Sequence, residues 1–107
     1  AWVAAAEVHY FNASSHDIIT LTESCCPGDT YSNYDIAADA STVVWRTYER
    51  GTQDPHRIFM WSGWLQDITA DVGVGAHSFS IDDRELAYVW GAQPDSVRYW
   101  DGVTVRR

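Results

Sequence analysis

The densest apolar stretch of the chain, RIFMWSGWL at residues 57–65, carries no charge after Arg57. Strand alternation puts Phe59, Trp61, Gly63 and Leu65 on one face and Ile58, Met60, Ser62 and Trp64 on the other. Both faces are largely apolar, the pattern of a strand covered on both sides, whereas a short helix would have to crowd a glycine between two tryptophans. The stretch is predicted to be the central strand of a β-sandwich. Gly63 is expected to mark a bulge or a place where another group approaches the backbone.

Period-two alternation continues on either side. Residues 2–11 read as a first strand with Trp2, Val8 and Tyr10 on one side and Glu7, His9 and Phe11 on the other. A polar turn at 12–16 and a short strand at 17–23 complete a hairpin. The segment SCCPGD at 24–29 breaks the sheet, a Tyr/Asn/Ser-rich segment runs on through Tyr31, Asn33 and Tyr34, and 35–39 is compatible with a helical turn or a short strand. Residues 42–49 form a strand with Val43 and Trp45 opposed to Val44 and Tyr48. Residues 50–55 are a loop, and the two glycines of 67–75 predict an irregular crossover. Strands follow at 76–82 and 85–91, a turn at 93–96, and a closing segment at 97–106 with a bulge or tight turn at Asp101-Gly102. Seven or eight short strands between Gly, Pro and Asp turns describe an all-β fold, a single antiparallel β-sandwich or jelly roll spanning residues 1–107.

At 107 residues the chain is the size of one domain, able to bury roughly 65% of its unfolded surface. Its hydrophobic content of 46% excludes disorder, and no apolar run reaches the ~20 residues of a membrane-spanning helix. Six Trp, six Tyr and three Phe exceed what one small core needs, so some rings are expected at the surface. A net charge of −8 repels phosphate backbones and argues against nucleic acid. The seven basic residues are all Arg, and the absence of Lys removes Schiff-base and P-loop chemistry. No signal peptide is expected within these residues, since the start lacks a basic and an apolar region. The sequon Asn12-Ala13-Ser14 tilts the expected location towards secreted or cell-surface.

The candidate chemistry is sparse. The four histidines show no ligand spacing, the Asp pairs lack the pattern of a calcium loop, and two Cys leave a zinc tetrahedron unfilled, so neither a metal nor another cofactor is expected. No nucleophile elbow is present, and the expectation is a binding protein and not an enzyme. Cys25 and Cys26 are adjacent. Neighbouring Cα atoms lie ~3.8 Å apart, closer than the ~4.4–6.8 Å of ordinary disulfides, so the pair is either two reduced thiols or a small ring forming one wall of a ligand site. Sugars need a ring to stack on and Asp or Asn groups to fix their hydroxyls. Asp29, Tyr31 and Asn33 supply this after the Cys pair, Trp100 and Asp101 supply it near the end of the chain, and Trp64 is a further exposed-ring candidate, with core positions as the alternative for both tryptophans.

Two resemblances bear on function. The size, acidity, aromatic content and opening AWVAAAEVHYFN are similar to the small slime-mould haemagglutinin type, a minimal legume-lectin-like jelly roll. That resemblance implies a carbohydrate-binding lectin that recognises glycans or glycoproteins, without the metal cluster of larger legume lectins. Agglutination needs at least two sites per particle, so a homodimer is expected. The stretch AEVHYFNASSHDIITL at residues 6–21 also resembles the opening hairpin of aegerolysin-type β-sandwich proteins, which implies a membrane-lipid-binding or cytolytic alternative.

Overall fold

Alternating β-branched and aromatic residues form strands when one face can be buried, and among the described residues eleven short strands do so in three antiparallel sheets. The computed structural model describes residues 1–4, 7–12, 14–23, 25–39, 41–51, 56–73, 75–82, 85–91, 97–102 and 105–106. The expectations for Gln93-Pro94-Asp95-Ser96, most of the loop after Gly51 and the Asp83-Arg84 turn fall outside them. The first sheet has the order β1 (Trp2–Ala4), β2 (Glu7–Asn12), β3 (Asp17–Thr20). The second is β4 (Tyr31–Ala38), β5 (Val43–Glu49), β6 (Arg57–Trp61), β7 (Leu65–Asp67). The third runs β11 (Val105–Arg106), β10 (Val97–Trp100), β9 (Glu85–Trp90), β8 (Ala76–Asp82). One helical turn, α1 (Thr69–Val72), lies in the crossover between the second and third sheets.

The second sheet is covered on both faces, as the pattern of β6 requires. Val44, Ile58 and Met60 join Leu86, Tyr88 and Trp100 of the third sheet, with Ile68 and Val72 of the crossover, in one buried cluster. Val43 and Trp45 join Val8, Leu21 and Cys26 in another, against which Tyr10, Phe59, Trp61 and Leu65 pack. The Tyr10 and Trp61 rings meet at 4.8 Å, and Trp45 stacks on Phe59 at 6.0 Å. Burying a tryptophan such as Trp45 or Trp100 contributes up to roughly 4–6 kcal/mol by area, less the cost of an indole N–H that finds no acceptor among the described residues.

Three expectations change in detail. Residues 57–65 are not one strand: β6 ends at Trp61, the chain reverses through 62–64, and Leu65 pairs with Trp61 across a hairpin. Gly63 sits at the reversal with φ +91°, and nothing lies within 4 Å of where its Cβ would be, so the turn's conformation and not a close approach calls for glycine. Residues 2–11 likewise fold back, pairing Trp2 with His9 and Val3 with Val8, which moves Trp2 onto the face of His9 and Phe11. The register Trp61–Leu65 keeps odd positions on one face and the register Trp2–His9 exchanges even for odd, yet each strand alternates by itself, so alternation reveals neither reversal. The segment left open at 35–39 belongs to strand β4 as far as Ala38, and the strand is kinked by a bulge between Tyr34 and Ala37. These extra reversals raise the strand number above seven or eight. The 12–16 turn and the reversal after Trp100 at Asp101-Gly102 stand as expected, and the strand expected at 17–23 begins at Asp17 but ends at Thr20. Within the first of these, Asn12 Oδ1 accepts the N–H groups of Ser14 and Ser15 at 2.9 and 3.2 Å.

Candidate functional site

Cross-strand register collects one row of side chains on the face of the second sheet that looks towards the first. Tyr31 opposes Glu49, Asn33 opposes Thr47, Thr47 opposes Arg57, and Trp45 opposes Phe59. Residues directly opposite share a face, so this end of the sheet mixes rings with a carboxylate, a hydroxyl and a guanidinium. The 25–28 turn closes over it. Cys25 and Cys26 are joined as a disulfide with Cα atoms 3.8 Å apart, Cys26 buried and Cys25 half-buried.

That turn is fastened at every step. Cys26 N–H donates to Thr22 O at 3.1 Å, and Asn33 Nδ2 donates to Cys26 O at 3.0 Å. The N–H groups of Thr30 and Tyr31 both donate to Pro27 O, and the Arg50 guanidinium donates to Gly28 O. Glu7 completes the attachment. Its carboxylate accepts the Thr22 hydroxyl at 2.7 Å and the Gly28 N–H, and these two bonds, the hydroxyl first, hold its pKa below the usual 4.5.

Between the turn and the sheet lies a cleft of about 280 Å³, lined by Cys25, Cys26, Tyr31, Thr47, Tyr48, Glu49, Arg57 and Phe59. It lies just below the roughly 300–1,000 Å³ of small-molecule sites, the size for one compact ligand. Thr47 is 1% exposed, and its hydroxyl has no hydrogen-bond partner among the described residues. Arg57 reaches Asp67 at 3.5 Å, an ion pair between exposed side chains that holds the guanidinium only weakly. Tyr48 ties the cleft to a second group: its ring stacks on His56 at 4.9 Å, and the Tyr34 hydroxyl bonds His56 Nδ1. Desolvation, helped by nearby Arg46, depresses the pKa of His56 and favours its neutral ring. Burial likewise raises the pKa of Tyr34.

The sequence-derived candidates divide. Cys25, Cys26 and Tyr31 line the cleft together. Asn33 is 3% exposed and acts from beneath, holding the Cys26 carbonyl. Asp29 is exposed in the turn, 3.4 Å from the Thr30 hydroxyl, and is not part of the lining. Trp64 is 54% exposed at the tip of the β6–β7 turn, outside the cleft. Trp100 is 1% exposed in the core between the second and third sheets, which corrects its assignment as a sugar platform. Asp101 follows it at the β10–β11 reversal, half-buried and not in the lining. Thr47, Tyr48, Glu49, Arg57 and Phe59 were missed because they belong to strands read for packing. The available signal was Thr47 and Glu49, polar residues on the same face as Val43 and Trp45.

Comparison of the chain with protein-family models, curated proteins and solved structures returns no match.

Proposed function

We propose that the chain is a carbohydrate-binding protein of lectin type whose sugar site is the cleft under the Cys25–Cys26 turn. One observation supports the reading above others: the Tyr31 and Phe59 rings and the disulfide adjoin Glu49, Arg57 and the Thr47 hydroxyl, which has no partner among the described residues, in a cleft sized for one sugar ring. A pyranose offers an apolar CH face to the rings and hydroxyls to the polar groups. The reaction class is binding and not catalysis. A glycan array with inhibition by simple sugars tests it, together with Tyr31→Ala and Thr47→Val. Binding that both variants weaken supports the reading; no glycan bound at high protein concentration removes it. Agglutination further calls for two sites per particle, hence a homodimer, which light scattering checks.

A different surface favours the alternative of a membrane-lipid-binding sandwich. Trp2, Phe11 and Ile18 are 40%, 45% and 62% exposed, and the register Trp2–His9 and Phe11–Ile18 places them together on the outer face of the first sheet. Contiguous exposed rings of this kind suit a lipid interface. Liposome sedimentation separates the two readings, because a sugar that occupies the cleft leaves lipid binding through this face intact.

A further inference from the structure

We infer that Asn12 is an N-glycosylation site and that the sugar it carries covers the exposed Phe11–Ile18 pair, an inference independent of what the cleft binds. The chain contains two asparagines, and only Asn12 stands in a sequon, with alanine and not proline before Ser14. Asn33 stands in none and is buried, holding the Cys26 carbonyl. Asn12 is the last residue of β2, where the chain turns towards β3 past Ser14, Ser15 and His16, all exposed. Its Oδ1 is committed to the Ser14 and Ser15 N–H groups, and its backbone carbonyl accepts the His16 N–H at 2.7 Å. The oxygen thus orients the side chain, while Nδ2, the atom to be modified, donates to no group among the described residues.

The sugar donor for such a site is a polyprenyl-pyrophosphate-linked oligosaccharide. The Nδ2–C1 bond forms as the C1–O bond to pyrophosphate breaks; the pyrophosphate leaves with the electron pair, and Nδ2 gives up a proton to the transferase's base. This transfer takes place in the lumen of the secretory pathway, an oxidising compartment, and the Cys25–Cys26 disulfide is a bond of oxidising compartments.

What the sugar covers follows from register. Phe11 pairs directly with Ile18, one step along the ladder from the Asn12–Asp17 pair, and both apolar side chains are exposed. The His16 ring stands edge-on to Phe11 at 6.4 Å and extends the patch to the turn. Neighbouring strand residues point to opposite faces, but the Asn12 side chain is drawn along the turn by the Ser14 and Ser15 N–H groups. The sugar therefore leaves from the end of the sheet and reaches Phe11 over its edge. A hexosamine has an apolar CH face to lay on that ring, and a bulky, solubilising group there shields the patch from other surfaces.

The full chain, secreted from a eukaryotic host behind a cleavable leader, should carry a glycan that peptide-N-glycosidase removes, leaving Asp at position 12 of the peptide map. Ser14→Ala should abolish the modification, since transfer requires the hydroxyl, yet keep the turn, to which Ser14 contributes its backbone N–H. Ser14→Thr should retain the glycan, and thermal melts establish that both variants are folded. The unglycosylated Ser14→Ala chain should give several-fold higher fluorescence with a hydrophobic dye than the glycosylated chain, and adding Phe11→Ala should suppress that rise. A secreted chain without the glycan, or a glycan that survives Ser14→Ala, overturns the site. Equal dye fluorescence with and without the glycan, or sedimentation of the glycosylated chain with phosphatidylcholine liposomes, overturns the covering of Phe11 and Ile18.

Discussion

The Asp35 carboxylate accepts a 2.8 Å hydrogen bond from the backbone N–H of Ser78, and both residues hold a positive φ of 55°. Each sits at a register shift in its strand, one in the second sheet and one in the third, so two bulges face each other and are tied by a single bond. Asp35→Ala should therefore cost about 1 kcal/mol and Asp35→Asn less, because asparagine tolerates positive φ and keeps an acceptor. Ser78→Gly should leave the urea midpoint unchanged or raise it, since glycine adopts this conformation freely. Equal losses for Asp35→Ala and Asp35→Asn would show that the bond is not what matters.

Acid should destabilise the fold in two separate stages. The pKa of His56 is lower in the fold than its ordinary 6.5, so its contribution is complete above that value and is lost as pH falls below it, when the unfolded chain binds the proton first. The pKa of Glu7 is likewise depressed, from 4.5, and its contribution is lost only below that pH. Urea midpoints measured from pH 8 to pH 3 should fall first in the His56 window and again in the Glu7 window. His56→Phe should remove the first stage alone.

Reduction of the Cys25–Cys26 bond should separate binding from stability. A ring between neighbouring residues closes almost no chain, so it restricts the unfolded state very little. It nevertheless forms part of the cleft wall. Reductant, or Cys25→Ser at the half-buried position, should weaken ligand binding and move the melting temperature by only a few degrees. Unchanged binding with a large thermal shift would make the pair a structural staple instead.

The two tryptophans singled out in the sequence should behave oppositely. Trp100→Ala empties a fully buried site and should cost about 3–5 kcal/mol, enough to threaten folding in so small a chain. Trp64→Ala acts on an exposed turn tip and should stay within about 0.5 kcal/mol. Chemical denaturation of both variants decides the matter.

Gly73 should tolerate no side chain. A Cβ there would stand 2.7 Å from Trp90 Nε1, and its φ of +92° disfavours any L-residue. Moving the Trp90 ring aside would disturb its contact with the Arg98 guanidinium, 4.1 Å from the ring centroid. Gly73→Ala should cost about 1–3 kcal/mol, and pairing it with Trp90→Ala should recover part of that loss by removing the clash. A double variant no better than the sum of the two would assign the whole effect to the backbone.

Alternation alone determined that the chain is all-β, that residues 57–61 are covered on both sides, and that Val43 and Trp45 face away from Val44. Side chains on a strand alternate whatever the strand pairs with, so this information is local. It could not show that residues 2–11 and 57–65 each reverse, because the strands on either side of a hairpin alternate independently and the hairpin decides only which residues become neighbours. The Cys pair and Tyr31 were legible as site candidates from their chemistry. Trp100 was not separable from Trp64, since an indole at a bend reads the same whether a second sheet covers it or solvent does. Glu49, Thr47 and Arg57 became a site only through the register of β4, β5 and β6 and the turn folded over them. These are contacts between residues far apart in the chain, and only tertiary packing decides them.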